Sequence, residues 1–171
     1  IRASQHLQTA RRWSVWPLIE EDIFLIAARP TRSAKAPQSV CMADLAQEPL
    51  ILPTGPHGLR STLNAAFARA NVTPQVTLEI DSLAMLMDAV KSGLGGTLQP
   101  WAAVSRMGPE RDHLYMARIS DHQVQRVNLL CGLSDDELSP AALATRVVLA
   151  DCARALVQSG AWLGASVRPV A

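Results

Sequence analysis

The sequence predicts an α/β protein of two Rossmann-like lobes, the first of them incomplete in this chain. Three observations predict this fold class. An uninterrupted apolar run, Ile23–Ala28, is typical of a strand buried on both faces of a sheet. Strand and helix patterns alternate between Pro49 and Pro100, and a long amphipathic helix follows Ser139. The length of 171 residues and the apolar share of 49% suit one domain or two small lobes around a hinge.

The first predicted strand is Ile19–Ala28, and a polar connector, Arg29–Ser39, follows it. A second short strand, Pro49–Leu52, leads through a Pro-Thr-Gly-Pro turn into a helix that starts near His57. Proline suits the first helical turn because its missing N–H has no partner there in any case. The apolar face of this helix is predicted to be Leu59, Leu63, Phe67 and Ala70, with Asn71 as its stop.

The next strand shows alternation, because Val76, Leu78 and Ile80 are apolar and the residues between them are polar. Asp81 or Ser82 then caps a second helix, which ends at Gly93, and a further strand runs to Pro100. Strand, helix, strand, helix and strand in this order predict a mostly parallel sheet with right-handed crossovers.

The last third of the chain predicts two strands, Leu114–Ile119 and Val124–Leu133, and a helix from Ala141 to about Ser159. The helix face Leu143, Val147, Ala150, Ala153 and Val157 is expected to pack on a sheet. The tail Ala161–Ala171 has no periodicity and is expected to be disordered. The middle of the chain makes a complete three-layer lobe and the ends make part of another, so we expect a truncated first lobe.

Charge and cysteine patterns exclude several function classes. The net charge is +1 and the arginines are scattered, so no basic face for nucleic acid is expected. The widely spaced Cys41, Cys131 and Cys152 predict buried reduced thiols, and no metal ligation or cofactor is expected. The acidic clusters Glu20–Asp22 and Asp135–Glu137 are expected to be solvated. No apolar run approaches the roughly 20 residues of a membrane span.

Five segments in a fixed order carry a family resemblance. They are Pro17–Ile26, Ala43–Leu52, Gly58–Arg60, Asp81–Pro100 and Leu138–Ala142. Their order and spacing, over about 150 residues, resemble the effector-binding domain of LysR-type transcriptional regulators. The stretch Leu52–Arg60 is similar to a subgroup that includes regulators of tricarballylate use and nitrogen assimilation. Gly96 and Gln99 depart from the family pattern, and we expect them to widen or polarise the cleft.

The resemblance implies two lobes like those of type 2 periplasmic binding proteins. It assigns residues 1–30 and 124–171 to lobe I and residues 31–123 to lobe II. It also implies a cytoplasmic protein that binds a small anionic metabolite, a carboxylate among the candidates, in the interlobe cleft. Family members form homodimers or tetramers and contact DNA through an N-terminal winged helix-turn-helix, which this chain lacks.

The candidate ligand contacts lie where two helices begin, because helix N-termini present free N–H groups and a positive dipole end. Family members use hydroxyl residues at the positions of Thr54 and Ser82. Other candidates in this part of the chain are Gly55, His57, Arg60 and Gln99, and Ser4 is a candidate on the lobe I side. We expect no acid to compensate a ligand's charge in the Thr54–His57 turn. The alternative is that Thr54 and Ser82 only cap helices and that Arg60 forms a surface salt bridge.

Two further functions compete with a sensor domain. A periplasmic-type solute-binding protein has the same architecture but predicts a secretory signal and a complete first lobe. A transferase or lyase would need a clustered acid, base or nucleophile, and the sequence has no nucleophile elbow, phosphate loop or zinc-protease motif. We therefore predict a sensor that is not an enzyme, with no catalytic residue.

Overall fold

The computed structural model describes residues 13–29, 38–121 and 124–168. Contacts divide the chain into two units, Ile1–Glu21 with Val127–Ala171 and Asp22–Arg126. The lobe bounds predicted from the sequence stay a prediction. Among the described residues, no helix is both long and apolar enough to cross a membrane.

Strand β1, Trp13–Ala28, is longer than predicted and contributes to both units. Its apolar run is buried on both faces, as the sequence predicts. Ile23 and Leu25 belong to one apolar cluster, and Phe24 and Ile26 belong to a second cluster. Successive side chains of a strand point to opposite faces, so β1 must lie between two packed layers.

Besides its part of β1, the second unit contains further strands. They are β2 (Ser39–Val40), β3 (Pro49–Leu52), β4 (Gln75–Glu79), β5 (Thr97–Pro100) and β6 (Leu114–Ile119). β5 and β6 pair antiparallel with β1 on either side, with Leu98 and Ala117 opposite Leu25. β2 is parallel to β6, and β3 and β4 form a parallel pair that a bridge between Leu50 and Gly96 connects to the start of β5.

The predicted parallel arrangement is confirmed for β3, β4 and the start of β5, whereas β1, which lay outside that prediction, pairs antiparallel with β5 and β6. The crossover rule governs parallel strands that a helix connects within one sheet. β1 is instead followed by a connector and the two-residue strand β2. Nothing in that connection fixes the direction of β1, so the local pattern could not predict it.

Two helices cover the faces of this unit. α1, Gly58–Ala70, buries Leu59, Leu63 and Phe67 in the first cluster, and α2, Leu83–Lys91, buries Leu86, Met87 and Val90 in the second. Both predicted helices are confirmed. Their predicted ends are confirmed as well, because Asn71 and Gly93 adopt the left-handed backbone conformation, with φ of 54° and 76°.

The glycine pair before β5 serves packing and does not widen a cleft. A Cβ on Gly95 would stand 2.5 Å from the Pro49 carbonyl oxygen, so the approach of β3 requires glycine there. A Cβ on Gly96 would stand 3.0 Å from a methyl group of Leu25. Gly96 thus faces the core, and our expectation that it shapes the cleft is wrong.

The first unit combines β1 with β7 (Gln125–Leu133), α3 (Pro140–Gln158) and β8 (Ala165–Val167). The predicted helix and strand are confirmed, but the prediction of a disordered tail is wrong for β8, which pairs antiparallel with β1 at Glu20 and Ser166. Val147 was predicted to pack, yet it is 55% exposed. Arg146 lies against β1 instead, with its guanidinium 4.1 Å from the ring centre of Trp16.

Two surface predictions in this region are also wrong. Glu21 is buried, with 1% exposure, because Asn128 and Trp162 donate hydrogen bonds of 3.0 and 3.1 Å to its carboxylate oxygens. Two of the cysteines, Cys131 and Cys152, are exposed. They lie on outward-facing positions of β7 and α3, which apolar character alone could not reveal. Cys41 is half-buried.

Candidate ligand-binding site

A cavity of about 180 Å³ lies in the second unit, where β4 and β5 end and α1 and α2 begin. Its walls are mainly apolar and consist of Pro53, Ile80, Leu83, Leu86, Pro100, Ala102 and Ala103. Four polar side chains complete the lining: His57, Asp81, Gln99 and Arg126. Apolar walls with a few convergent polar groups are the usual composition of a small-molecule site.

Gln99 is the most deeply placed polar residue of the lining, with 6% exposure. Its backbone pairs with Phe24 of β1, which holds the side chain at the edge of the sheet. Among the described residues, its amide group has no hydrogen-bond partner. A buried amide without a partner is costly, so a ligand or water that bonds to it would be stabilising.

His57 connects the cavity to the start of α1. Its Nδ1 accepts a hydrogen bond of 3.2 Å from the Leu59 backbone N–H and thereby caps the helix. An accepting Nδ1 carries no proton, so the ring proton of the neutral imidazole lies on Nε2. His57 can therefore cap α1 and offer a donor at the same time. The capping role that the sequence offered as an alternative for Thr54 is wrong, because α1 begins only at Gly58 and its cap is His57.

Asp81 brings a negative charge to the cavity from the loop before α2, whereas the Thr54–His57 turn itself contains no acid, as predicted. The backbone N–H and the hydroxyl of Thr54 both donate to its carboxylate, at 2.9 and 3.0 Å. The backbone hydrogen bond first, and then the hydroxyl bond, hold the pKa of Asp81 below its usual range. Asp81 is therefore ionised at neutral pH.

The other candidate residues have partners within the protein. Ser82 accepts a long hydrogen bond, 3.5 Å, from the Met85 N–H and caps α2. Arg60 forms an ion pair of 2.6 Å with Glu79 and also donates to the Pro53 carbonyl oxygen. For Ser82 and Arg60, the alternatives stated from the sequence, capping and a salt bridge, are thus present in the structure.

The structure brings His57 and Gln99 together in the lining, whereas Thr54, Gly55, Arg60 and Ser82 are not part of it. Ser4 lies outside the described residues. Sequence reasoning missed Asp81 as a lining carboxylate and missed Arg126 altogether. Arg126 lies at the start of β7, 27 positions after Gln99, and no local pattern places a residue so distant along the chain beside β5.

Comparisons with known proteins agree with this fold. The sequence model described as LysR substrate binding domain matches residues 2–153. The nitrogen assimilation regulatory protein nac of Klebsiella aerogenes is 29% identical over 133 residues, which are 78% of this chain and 42% of that protein. The chain therefore spans less than half the length of this curated relative.

Two solved structures share the fold. The regulatory domain of Synechocystis PCC6803 CcmR in complex with 2-PG has a TM-score of 0.73 at 18% identity, over 90% of this chain and 79% of that chain. The effector-binding domain of QuiR in complex with shikimate has a TM-score of 0.70 at 18% identity, over 86% of this chain and 68% of that chain. These matches support the predicted α/β fold, which is like that of type 2 periplasmic binding proteins.

Proposed function

The chain belongs to the LysR substrate-binding domain family, and on that premise we propose that it is the effector-sensing part of a LysR-type transcriptional regulator. The match over residues 2–153 supports this proposal, and so does the relationship to a nitrogen assimilation regulator. The observation that carries the ligand part of the proposal is the cavity that contains the Gln99 amide, which has no hydrogen-bond partner among the described residues.

The ligand that fits best is a small monoanion, for which a carboxylate is the simplest candidate. Arg126 supplies a positive charge to the lining, and His57 supplies a donor. The first residue of α2, Leu83, also lines the cavity, so the positive end of that helix dipole faces it. QuiR and CcmR, which share the fold, are described in complexes with shikimate and 2-PG, and both compounds are anions.

The rest of the proposal concerns the parent protein. Effector binding would shift an equilibrium between states of the regulator and so change how it acts on DNA. DNA would be contacted by an N-terminal winged helix-turn-helix, the regulator would be a cytoplasmic homodimer or tetramer, and it would have no catalytic activity. The two units would correspond to the two effector lobes, with residues 31–123 as lobe II.

A titration of the ¹⁵N-labelled chain with butyrate tests the ligand part of this proposal. Butyrate is a monocarboxylate small enough for a cavity of about 180 Å³. We expect amide shifts centred on the lining residues, and Arg126→Gln should weaken binding by about tenfold because a charge-assisted hydrogen bond is lost.

Arg69→Gln is the matched control, because Arg69 is exposed in the last turn of α1 and does not line the cavity. It should leave the affinity for butyrate unchanged. Shifts that appear elsewhere, or an equal loss in both variants, would show that the cavity is not the carboxylate site. Thermal unfolding of both variants separates a loss of binding from a loss of folding.

A further inference from the structure

We propose that this cavity selects a hydroxylated monocarboxylate, whose hydroxyl group forms a hydrogen bond with Gln99. The negative charge of Asp81 disfavours ligands that carry a second anionic group. The inference rests on the proposed function, because it specifies the ligand of the same site. It specifies the chemical class of the ligand. It also divides the polar lining residues into those that bind an anion and those that disfavour a second anionic group.

The Gln99 amide is suited to bind a neutral polar group of the ligand and not a charged one. Its amide offers two donors and an acceptor and has no partner among the described residues. The apolar lining of the cavity includes Leu86 and Ala103, both of them buried. A carboxylate placed against a neutral amide between apolar walls would be poorly solvated, whereas a hydroxyl group can both donate to the amide and accept from it.

Asp81 opposes a second anionic group. The Thr54 backbone N–H donates to one carboxylate oxygen and the Thr54 hydroxyl to the other, both at 2.9 Å, and so fix the carboxylate at the cavity. The fixed charge is ionised at neutral pH and would repel the distal carboxylate of a diacid. The same oxygens retain free lone pairs that a ligand hydroxyl can use, since a carboxylate has about four acceptor positions.

The two effects together distinguish ligands that share one carboxylate and differ at the other end. Butyrate, 4-hydroxybutyrate and succinate form such a series, with a methyl, a hydroxyl and a carboxylate as the variable group. Titrations of the chain with each probe, followed by NMR at low ionic strength, measure the contribution of that group. Low salt is needed because Asp81 is exposed and its field is screened.

We expect 4-hydroxybutyrate to bind about fivefold to tenfold more tightly than butyrate, as one added hydrogen bond implies. Gln99→Leu should abolish that preference, because the amide that bonds to the ligand hydroxyl is lost. Gln99→Met, which keeps the unbranched shape, should do the same if leucine disturbs folding. Gln75→Leu, the same change at an exposed position in β4, should preserve the preference.

We expect succinate to bind about fivefold more weakly than butyrate, and Asp81→Asn should bring the two affinities within about twofold of each other. Equal binding of butyrate and 4-hydroxybutyrate would overturn this inference while the carboxylate site of the proposed function stands. An equal loss of both probes in Gln99→Leu would also overturn it, because it would assign Gln99 a structural role. Binding of none of the three would remove the proposed site and this inference together.

Discussion

The Thr97 hydroxyl group is fully buried at the start of β5 and, within the described residues, has no hydrogen-bond partner. Thr77, an exposed residue in β4, differs because its hydroxyl donates a bond of 3.2 Å to the Leu50 carbonyl oxygen. A buried polar group without a partner costs roughly 1–3 kcal/mol, whereas a satisfied one contributes about 1 kcal/mol. The two threonines therefore make opposite contributions to folding.

Thr97→Val is expected to raise the free energy of unfolding by about 1 kcal/mol, because it removes an unsatisfied hydroxyl at nearly constant volume. Thr77→Val, the matched change, should lower it by about 1 kcal/mol. Urea denaturation of both variants measures the difference. A destabilised Thr97→Val variant would mean that the hydroxyl has a partner in solution.

Single residues also show where sequence reasoning about the site reached its limit. Thr54 and Ser82 are predicted as ligand contacts because family members use hydroxyl residues at these positions, where helices begin and can bind anions. The partner of Thr54 is Asp81, 27 positions later, and no local pattern reveals that two loops meet. Gln99 could be found from the sequence, because a polar residue in an apolar strand before a proline is unusual. Arg126 could not, since its position depends on where β7 begins.

At the scale of elements, the predictable features are those that one segment determines. The apolar run of β1 predicted burial on both faces, and the stripes of α1 and α2 predicted which side chains are in the core. Strand direction depends instead on pairing with distant segments, so the antiparallel partners of β1 were missed. The strand β8 was missed because three residues carry no periodicity.

The loops that follow β3 and β4 are joined by the bonds between Thr54 and Asp81. Because the folded protein lowers the pKa of Asp81, the ionised form stabilises the fold. That stability is present above the pKa of an unfolded aspartate, about 4, and is lost as pH falls through the lower folded value. Asp81→Asn should therefore lower the urea midpoint at pH 6 and have much less effect near pH 3.

Urea denaturation at the two pH values checks this expectation, with Asp136→Asn as the control. Asp136 is an exposed carboxylate in the turn before α3, so its substitution should change the midpoint little at either pH. Thr54→Val should follow the pattern of Asp81→Asn, since it removes one of the donors. An effect of Asp81→Asn that is equal at both pH values would contradict the assignment.

At the scale of the whole molecule, distant parts of the chain converge on buried groups. Glu21 in β1 accepts hydrogen bonds from Asn128 in β7 and from Trp162 after α3, so three segments of the first unit meet at one carboxylate. Both carboxylate oxygens face donors. The two donors require two acceptor oxygens, and the side-chain amide of a glutamine has only one.

Glu21→Gln should lower the free energy of unfolding by roughly 1–3 kcal/mol, because its amide nitrogen would face a donor. The adjacent Glu20→Gln is the control. Glu20 forms a 3.6 Å ion pair with the half-exposed Arg168, and such a pair contributes less than about 1 kcal/mol. Urea denaturation followed by tryptophan fluorescence compares the two variants, and equal losses would argue against a special role for Glu21.

The pairings of β1 also determine the order of events during synthesis on the ribosome. Leu25 pairs with Leu98 and Ala117, and Ile19 pairs with Val167. At about 5–20 residues per second, the apolar stretch Ile23–Ile26 waits on the order of 4–15 s before its first sheet partner is translated. During that interval it is an uncovered, aggregation-prone strand. We therefore expect this stretch to require protection, by chaperones or by the ribosome surface, until β5 emerges.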